Sequence, residues 1–334
     1  MKKLINKLFL SVLSLTLAIS LVGTVVYAWF SISTLNILHN VTLGIAADDG
    51  FEISLDGINY FKEIKSEEIN KYINNNLQLL DVTSVDGINF FKGGPSNYVG
   101  AIENIDYLKL TVHFRTTAKA TASPEAVLRN VFLVDNVSSA AYLDKDIDGT
   151  YVISKGINWR SDVTFINGLD PINDIVYVGD RHVMYGAEAI RIGFVEQKLS
   201  HEIDERNEGE LVNKIFDLSR NPERGYGTSY GSLDYYNVKH NSNFEPPPTN
   251  QEVITTLTEF NEFDPRFTND EVSLITSMIK TNKFTDKGEV YFEGKVDISI
   301  WLEGWDADCF DAIYRDKITI RLKFRSARGT IDTI

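Results

Sequence analysis

The sequence has a single cysteine, Cys309, so no intramolecular disulfide can form and the fold must rest on burial. Beside Phe310, that thiol reads as a small buried hydrophobe. Proline is scarce, at 8 in 334 residues, which excludes a collagen-like or wholly disordered chain. Positive charge is also short. The 33 Lys and Arg face 47 Asp and Glu, a formal charge of −14, so the surface repels phosphate backbones and nucleic acid is not expected as a partner.

Catalytic signatures are missing as well. His39, His113, His182, His201 and His240 show no H-E-x-x-H or other metal-ligand spacing. There is no G-x-S-x-G, no Walker loop and no G-x-G-x-x-G, and Cys309 has no His near it in sequence. The Gly-rich stretch from Gly225 to Gly231 follows no strand and opens no helix, so it reads as an aromatic loop. No catalytic residue and no cofactor-binding residue is assigned, and the chain is expected not to be an enzyme. An exported hydrolase stays as a minor alternative, because 47 acidic residues can always supply a carboxylate pair.

What is present begins at the N-terminus. Lys2, Lys3 and Lys7 precede a run from Leu8 to Leu38 without a charged side chain, almost wholly apolar from Leu8 to Phe30. This is an export segment. Val26 and Ala28 stand at −3 and −1 of a signal-peptidase cut between Ala28 and Trp29, while Leu8–Phe30 is also long enough to span a ~30 Å hydrocarbon core. Residues 1–28 are therefore either a signal peptide or a membrane anchor. In both cases the three lysines hold the N-terminus inside and residues 40–334 lie outside the cytoplasm, at the cell surface or beyond.

Beyond this segment, apolar and polar residues alternate with a period of two, the mark of strands with one face on a core. Leu108, Leu110, Val112 and Phe114 alternate with Lys109, Thr111, His113 and Arg115. The same holds at Ile190–Phe194, Val296–Leu302 and Ile318–Phe324, and half-solvated strands of this kind are usually antiparallel. Shorter strands are expected at Val41–Ala46, Phe51–Leu55, Asn130–Asp135, Thr150–Ser154, Val163–Ile166 and Ile175–Val178. With no βαβ rhythm, the fold class is all-β: an antiparallel, jelly-roll-like β-sandwich over residues 29–334. Residues 197–289 break the rhythm and read as a partly helical insertion. Helices are expected at Ser66–Tyr72, Gly209–Leu218 and Asp270–Lys280.

One motif recurs. Ser54-Leu55-Asp56-Gly57-Ile58-Asn59-Tyr60-Phe61-Lys62 returns as Ser84-Val85-Asp86-Gly87-Ile88-Asn89-Phe90-Phe91-Lys92, with a fainter echo at Lys155–Trp159. Reused Asp-Gly turn chemistry explains it, and the sharper reading is a pair of equivalent loops offering aromatics to a partner. Asp144, Asp146 and Asp148, with Gly149, form the first half of an EF-hand-type loop, but its twelfth position is Lys155 rather than Glu. Calcium is the one cofactor this pattern raises; a hairpin turn explains the same residues. Asp306, Asp308 and Asp311 make a second acidic cluster, expected as a solvated loop.

Aromatics carry the strongest functional signal. Trp301 falls on the polar phase of its strand, Trp305 follows in the next loop, and Tyr226, Tyr230, Tyr235 and Tyr236 crowd the insertion. Trp301, Trp305, Tyr226 and Tyr230 are the candidate contacts for a sugar or a protein partner, against the plainer reading that they pack beneath the insertion.

The segment Val26-Tyr27-Ala28-Trp29-Phe30, the strand that follows it and the later β series resemble the TasA/camelysin group of exported bacterial fibre and surface proteins; Trp301–Phe310 with its closing strand is similar to surface proteins with such N-termini. That resemblance implies that a strand freed by cleavage, here Trp29–Ala46, can complete a neighbouring copy's sheet. The expected function is thus a non-enzymatic cell-surface or extracellular-matrix structural protein, self-assembling through its N-terminal strand. The alternative is a membrane-tethered binding module or adhesin for glycan, protein or calcium.

Overall fold

A computed structural model describes residues 40–48, 50–73, 79–93, 98–135, 148–200 and 202–330, all within the unit Asn36–Ile334. The Leu8–Phe30 run, the Ala28–Trp29 cut and Asp144 and Asp146 lie outside these residues. Among the described residues, no helix is long and apolar enough to cross a membrane.

Two mixed sheets face each other. The six-stranded sheet holds β1 (Asn40–Ala47), β3 (Glu63–Ile64), β8 (Asn130–Leu133), β9 (Tyr151–Ser154), β16 (Leu274–Ser277) and β19 (Lys317–Ala327). The nine-stranded sheet holds β2 (Glu52–Ser54), β4 (Asp81–Thr83), β5 (Phe91–Lys92), β6 (Val99–Gly100), β7 (Leu108–Lys119), β14 (Ile190–Gln197), β15 (Asn213–Phe216), β17 (Ile279–Phe284) and β18 (Glu289–Glu303). Two ribbons stand apart: β10 (Ile157–Arg160) with β13 (Arg181–Met184), and β11 (Phe165–Ile166) with β12 (Ile175–Val176).

The alternation read from sequence sets the core. Leu108, Leu110, Val112 and Phe114 of β7 and Val296, Ile298, Ile300 and Leu302 of β18 point inward, opposite Ile318, Ile320, Leu322 and Phe324 of β19. Phe324 bridges the sheets, its ring 5.1 Å from that of Phe114 and 6.2 Å from that of Phe194. The backbone of the sandwich is the β7–β18 pairing, antiparallel from Leu108↔Ile300 to Lys119↔Glu289.

Several expectations need correction. The sheets are not purely antiparallel: β1 runs parallel to β19, and β4 runs parallel to β18. Gly209–Leu218 is not a helix, since a single 3-10 turn at Glu208–Glu210 leads into β15. Nor is Asp270–Lys280, which supplies β16 and the start of β17. The Ser66–Tyr72 helix forms as read, and a second helix, Ser232–His240, lies within the 197–289 stretch.

The recurrent motif folds alike twice. In each copy the Asp carboxylate accepts the backbone N–H of the following Ile and Asn, at 2.8 and 2.8 Å for Asp56 and at 2.9 and 2.8 Å for Asp86. The Asn side chain donates back to the same carboxylate, and the intervening glycine takes φ +69° or +68°, a left-handed conformation that a Cβ disfavours. The fainter echo at Lys155–Trp159 does not form this turn; it enters β10. A third copy stands instead at Asp170-Pro171-Ile172-Asn173, where Asp170 accepts from Ile172 N and Asn173 N at 2.9 and 3.2 Å.

Candidate functional site

On the outer face of the nine-stranded sheet, beyond the end of β18, lies a cleft of about 630 Å³. Four segments line it: Thr83–Asp86 with Asn89 and Phe91, then Tyr98, then Tyr226 with Trp305, and finally Phe244–Thr249 with the three consecutive prolines. Its rings are locked together. Trp305 Nε1 donates to Tyr98 Oη at 2.7 Å, and the rings of Tyr98 and Phe91 meet edge to face at 6.4 Å. Tyr226 and Trp305 are placed side by side by main-chain bonding, since Gly227 N donates to the Trp305 carbonyl at 2.9 Å. Tyr226 Oη lies 3.2 Å from Thr249 Oγ1.

The placement of Trp305 follows from the strand before it. Alternation sends Leu302 into the core and Trp301 and Glu303 to the outer face, but there the 80–107 segment covers the sheet and buries both. A buried carboxylate needs partners. Glu303 Oε2 accepts from Trp301 Nε1 at 2.9 Å and Gln251 Nε2 at 2.8 Å, and its Oε1 accepts from Trp305 N at 3.2 Å. Gln251 also donates to the Ser84 carbonyl at 2.5 Å. One carboxylate thus ties the core tryptophan, the cleft tryptophan and the segment after the prolines. Burial raises the Glu303 carboxyl above its usual range, against the lowering effect of the Trp301 hydrogen bond and the Arg191 charge.

Behind this tie, Arg191 is wholly buried and bonds Asp306 at 2.5 Å and Asp217 at 3.0 Å. One guanidinium cannot neutralise Asp217, Glu303 and Asp306 together, and burial pushes Asp306 up to about 7 although Arg191 opposes the rise. At the cleft itself, burial raises the Tyr98 and Tyr226 phenols, so both hydroxyls keep their protons near neutrality. Asp86 is the reverse case. Burial pushes it up, but the Asn89 and Ile88 N–H groups and Ser84 outweigh that and keep it below the usual carboxylate range. Among the described residues, the lining includes Asp86 and Glu245 and no Lys, Arg or His.

The cleft brings together two of the four aromatic candidates, Trp305 and Tyr226. Trp301 is 0% exposed, packed edge to face on Phe90 at 5.2 Å, and Tyr230 is also buried, beneath the Arg224 guanidinium. The second acidic cluster is not solvated: Asp306 and Asp308 are buried, Asp308 bonds Arg224 at 2.8 Å, and Asp311 bonds Lys239 at 2.5 Å. Of the calcium candidates, Asp148 is exposed and pairs with Lys323 at 2.5 Å. Among the described residues no group of three metal-ligating side chains converges. Sequence reading misses Tyr98 and Phe244 as site residues; Asp86, Asn89 and Phe91 lie in the recurrent motif, whose sharper reading offers aromatics to a partner, and Pro246–Pro248 lie in the break at 197–289.

No family model, curated protein or solved structure matches the chain.

Proposed function

We propose that the chain is an exported, non-enzymatic protein of the cell surface or extracellular matrix that holds a ligand in the aromatic cleft. The observation that carries this reading is the set of rings fixed by hydrogen bonds to one another and to the frame: Trp305 to Tyr98, and Trp305 through Glu303 to Gln251. Apolar rings with a few placed polar groups define a binding pocket. The buried carboxylate beneath it is engaged in holding the frame. Export rests on the Lys2–Phe30 segment, and the jelly-roll strand order and a helical N-terminal anchor belong to the same proposal. The test is retention of the purified chain on a crude envelope fraction of the producing cell. Retention that a Trp305→Ala, Tyr226→Ala double variant loses without a change in melting temperature is the expected result; equal retention of both proteins would sink the reading.

A second reading is favoured by one observation. Strand β1 runs parallel along β19 from Asn40↔Lys317 to Ala47↔Phe324, with Leu43 and Ile45 buried in the core. The same seat can be filled by the corresponding strand of a second copy, as the TasA/camelysin resemblance implies. Self-assembly would then accompany ligand binding. A mature N-terminus at Trp29 in large sedimenting assemblies, abolished by deletion of residues 29–46, is the expected outcome; a full-length monomer would leave a tethered binding module.

A further inference from the structure

We infer that the cleft takes an uncharged pyranose glycan and excludes polyanions, an inference that rests on the cleft being a binding site.

A pyranose ring offers an apolar C–H face and a rim of hydroxyls, so its receptor needs flat apolar surfaces bordered by hydrogen-bonding groups. The cleft has that composition at close range. Tyr98 Oη accepts the Trp305 indole N–H at 2.7 Å, so the indole donor is satisfied within the platform while the phenol keeps its own proton to donate. Burial raises the Tyr98 phenol, which holds that proton in place at neutral pH. Tyr226, beside Trp305, adds a second ring with a hydroxyl edge, and the Asn89 and Glu245 side chains border the same space.

Charge decides among glycans. Among the described residues, Asp86 and Glu245 line the cleft without a cationic side chain, on a chain of net charge −14. A sulfate, phosphate or uronate would lose its hydration there and meet like charge. An uncharged sugar loses little.

A peptide fits less well. Strand addition needs an open edge of some length: β4 and β5 are each paired on both sides, and the end strand β6 offers only the two residues Val99–Gly100. The chain's own Pro246–Pro248 already supplies a stiff polyproline segment to the lining, with Pro247 3.9 Å from where a side chain on Gly227 would begin. Fixed rings and a proline wall also keep the ordering cost of binding low, which suits a ligand whose individual contacts are weak.

The test is affinity electrophoresis of the full chain recovered from its producing cell, in gels carrying laminarin, xylan or galactomannan, with polygalacturonate, dextran sulfate and poly-L-proline as the other probes. The expected result is retardation by at least one neutral glycan and by neither polyanion. Trp305→Ala should weaken that retardation by about tenfold or more, and Tyr98→Phe, which keeps the ring and removes the hydroxyl, by about threefold to tenfold. Both variants should melt near wild type. Retardation by a polyanion, or Trp305-dependent retardation by poly-L-proline alone, would overturn the glycan assignment and leave the cleft as a binding site. Retardation that Trp305→Ala does not change, or none by any probe, would overturn both.

Discussion

The turns at Ser54–Asn59 and Ser84–Asn89 share a motif, a hydrogen-bond pattern and a glycine conformation, and both lie on the outer face of the nine-stranded sheet. Their surroundings differ. Beneath Gly57 is the His113 imidazole, and the aromatic that follows, Tyr60, sits half-buried under the Arg115 guanidinium at 3.7 Å. Beside Gly87 are Ile215 and Gly193, and the equivalent aromatic, Phe90, stacks on Tyr107 at 4.1 Å and meets Trp301 edge to face. The next residue extends the contrast: Phe61 bridges to Ile53 in the main chain, while Phe91 lines the cleft. Local sequence therefore dictates the turn, and the segment laid over it decides whether the turn closes a surface or borders a site.

The largest expected effect separates the layers beneath the two turns. Trp301→Ala should cost about 3–5 kcal/mol in urea unfolding, because a fully buried ring is lost from a sealed cluster. His113→Ala, under the first turn, should cost well below about 1 kcal/mol. Comparable losses would mean that the two turns cover equally dense layers.

Next come the glycines. Gly57→Ala and Gly87→Ala should each lose about 1–2 kcal/mol from the left-handed backbone alone, with Gly57→Ala the worse. Its new Cβ meets the His113 ring at 3.1 Å, against 3.5 Å to Ile215 for Gly87→Ala. The reverse order in matched melts would show that the second turn is the tighter one.

Titration distinguishes the turns from the layer behind them. Backbone N–H donors hold Asp56 below its usual range, and the same donors overcome burial at Asp86. A carboxyl depressed in the fold stabilises above its unfolded value near pH 4, and that contribution is lost as pH falls through the folded value. Asp306 has the opposite sign. Raised to about 7, it keeps a proton that the unfolded chain releases between about pH 4 and 7, so stability should fall as pH rises through that window. Melting temperatures at pH 5 and 7.5 should show this decline, and Asp306→Asn should lessen it, burial of Asp81 and Glu303 supplying the remainder; an unchanged slope would place the proton elsewhere.

The smallest effect is at the turn tips. Ile58→Ser and Ile88→Ser should each change stability by less than about 0.5 kcal/mol, since both side chains are exposed. A larger loss for Ile88 alone would extend the covered layer to the second tip.

Much of the sandwich was legible because β7, β18 and β19 alternate over long spans, and period two is hard to imitate. The stretches 209–218 and 270–280 misled because the short apolar spacing Ile215–Leu218 matches the helical period and Ile275–Ile279 fits either period. There the partner strands decide: β14 pairs Ile192 with Phe216, and β8 pairs Phe132 with Leu274. The Ser232–His240 helix carries little amphipathic pattern and is held by tertiary contacts, with Ile166 N donating to Asp234 at 2.6 Å and Lys239 bonded to Asp311. Trp305 and Tyr226 announced the cleft as aromatics in the loop after β18 and in the 197–289 stretch, whereas Trp301, the aromatic out of phase with the core, is buried. Tyr98 and Phe244 did not, since neither falls in the recurrent motif or the aromatic clusters and only the fold brings them beside Trp305 and Tyr226.

The parallel seat of β1 against β19 also sets an order in time. A chain is made from its N-terminus, yet the residues that flank Asn40–Ala47 along its whole length are Lys317–Phe324, in the last of the described strands to emerge. Until they arrive, the one strand paired with β1 among the described residues is β3, over two residues, and Leu43 and Ile45 remain without the floor they cover in the finished sheet. Pairings this distant in sequence form slowly and late. The first described strand is therefore secured only once the last described strand has been made, and the six-stranded sheet cannot close before then.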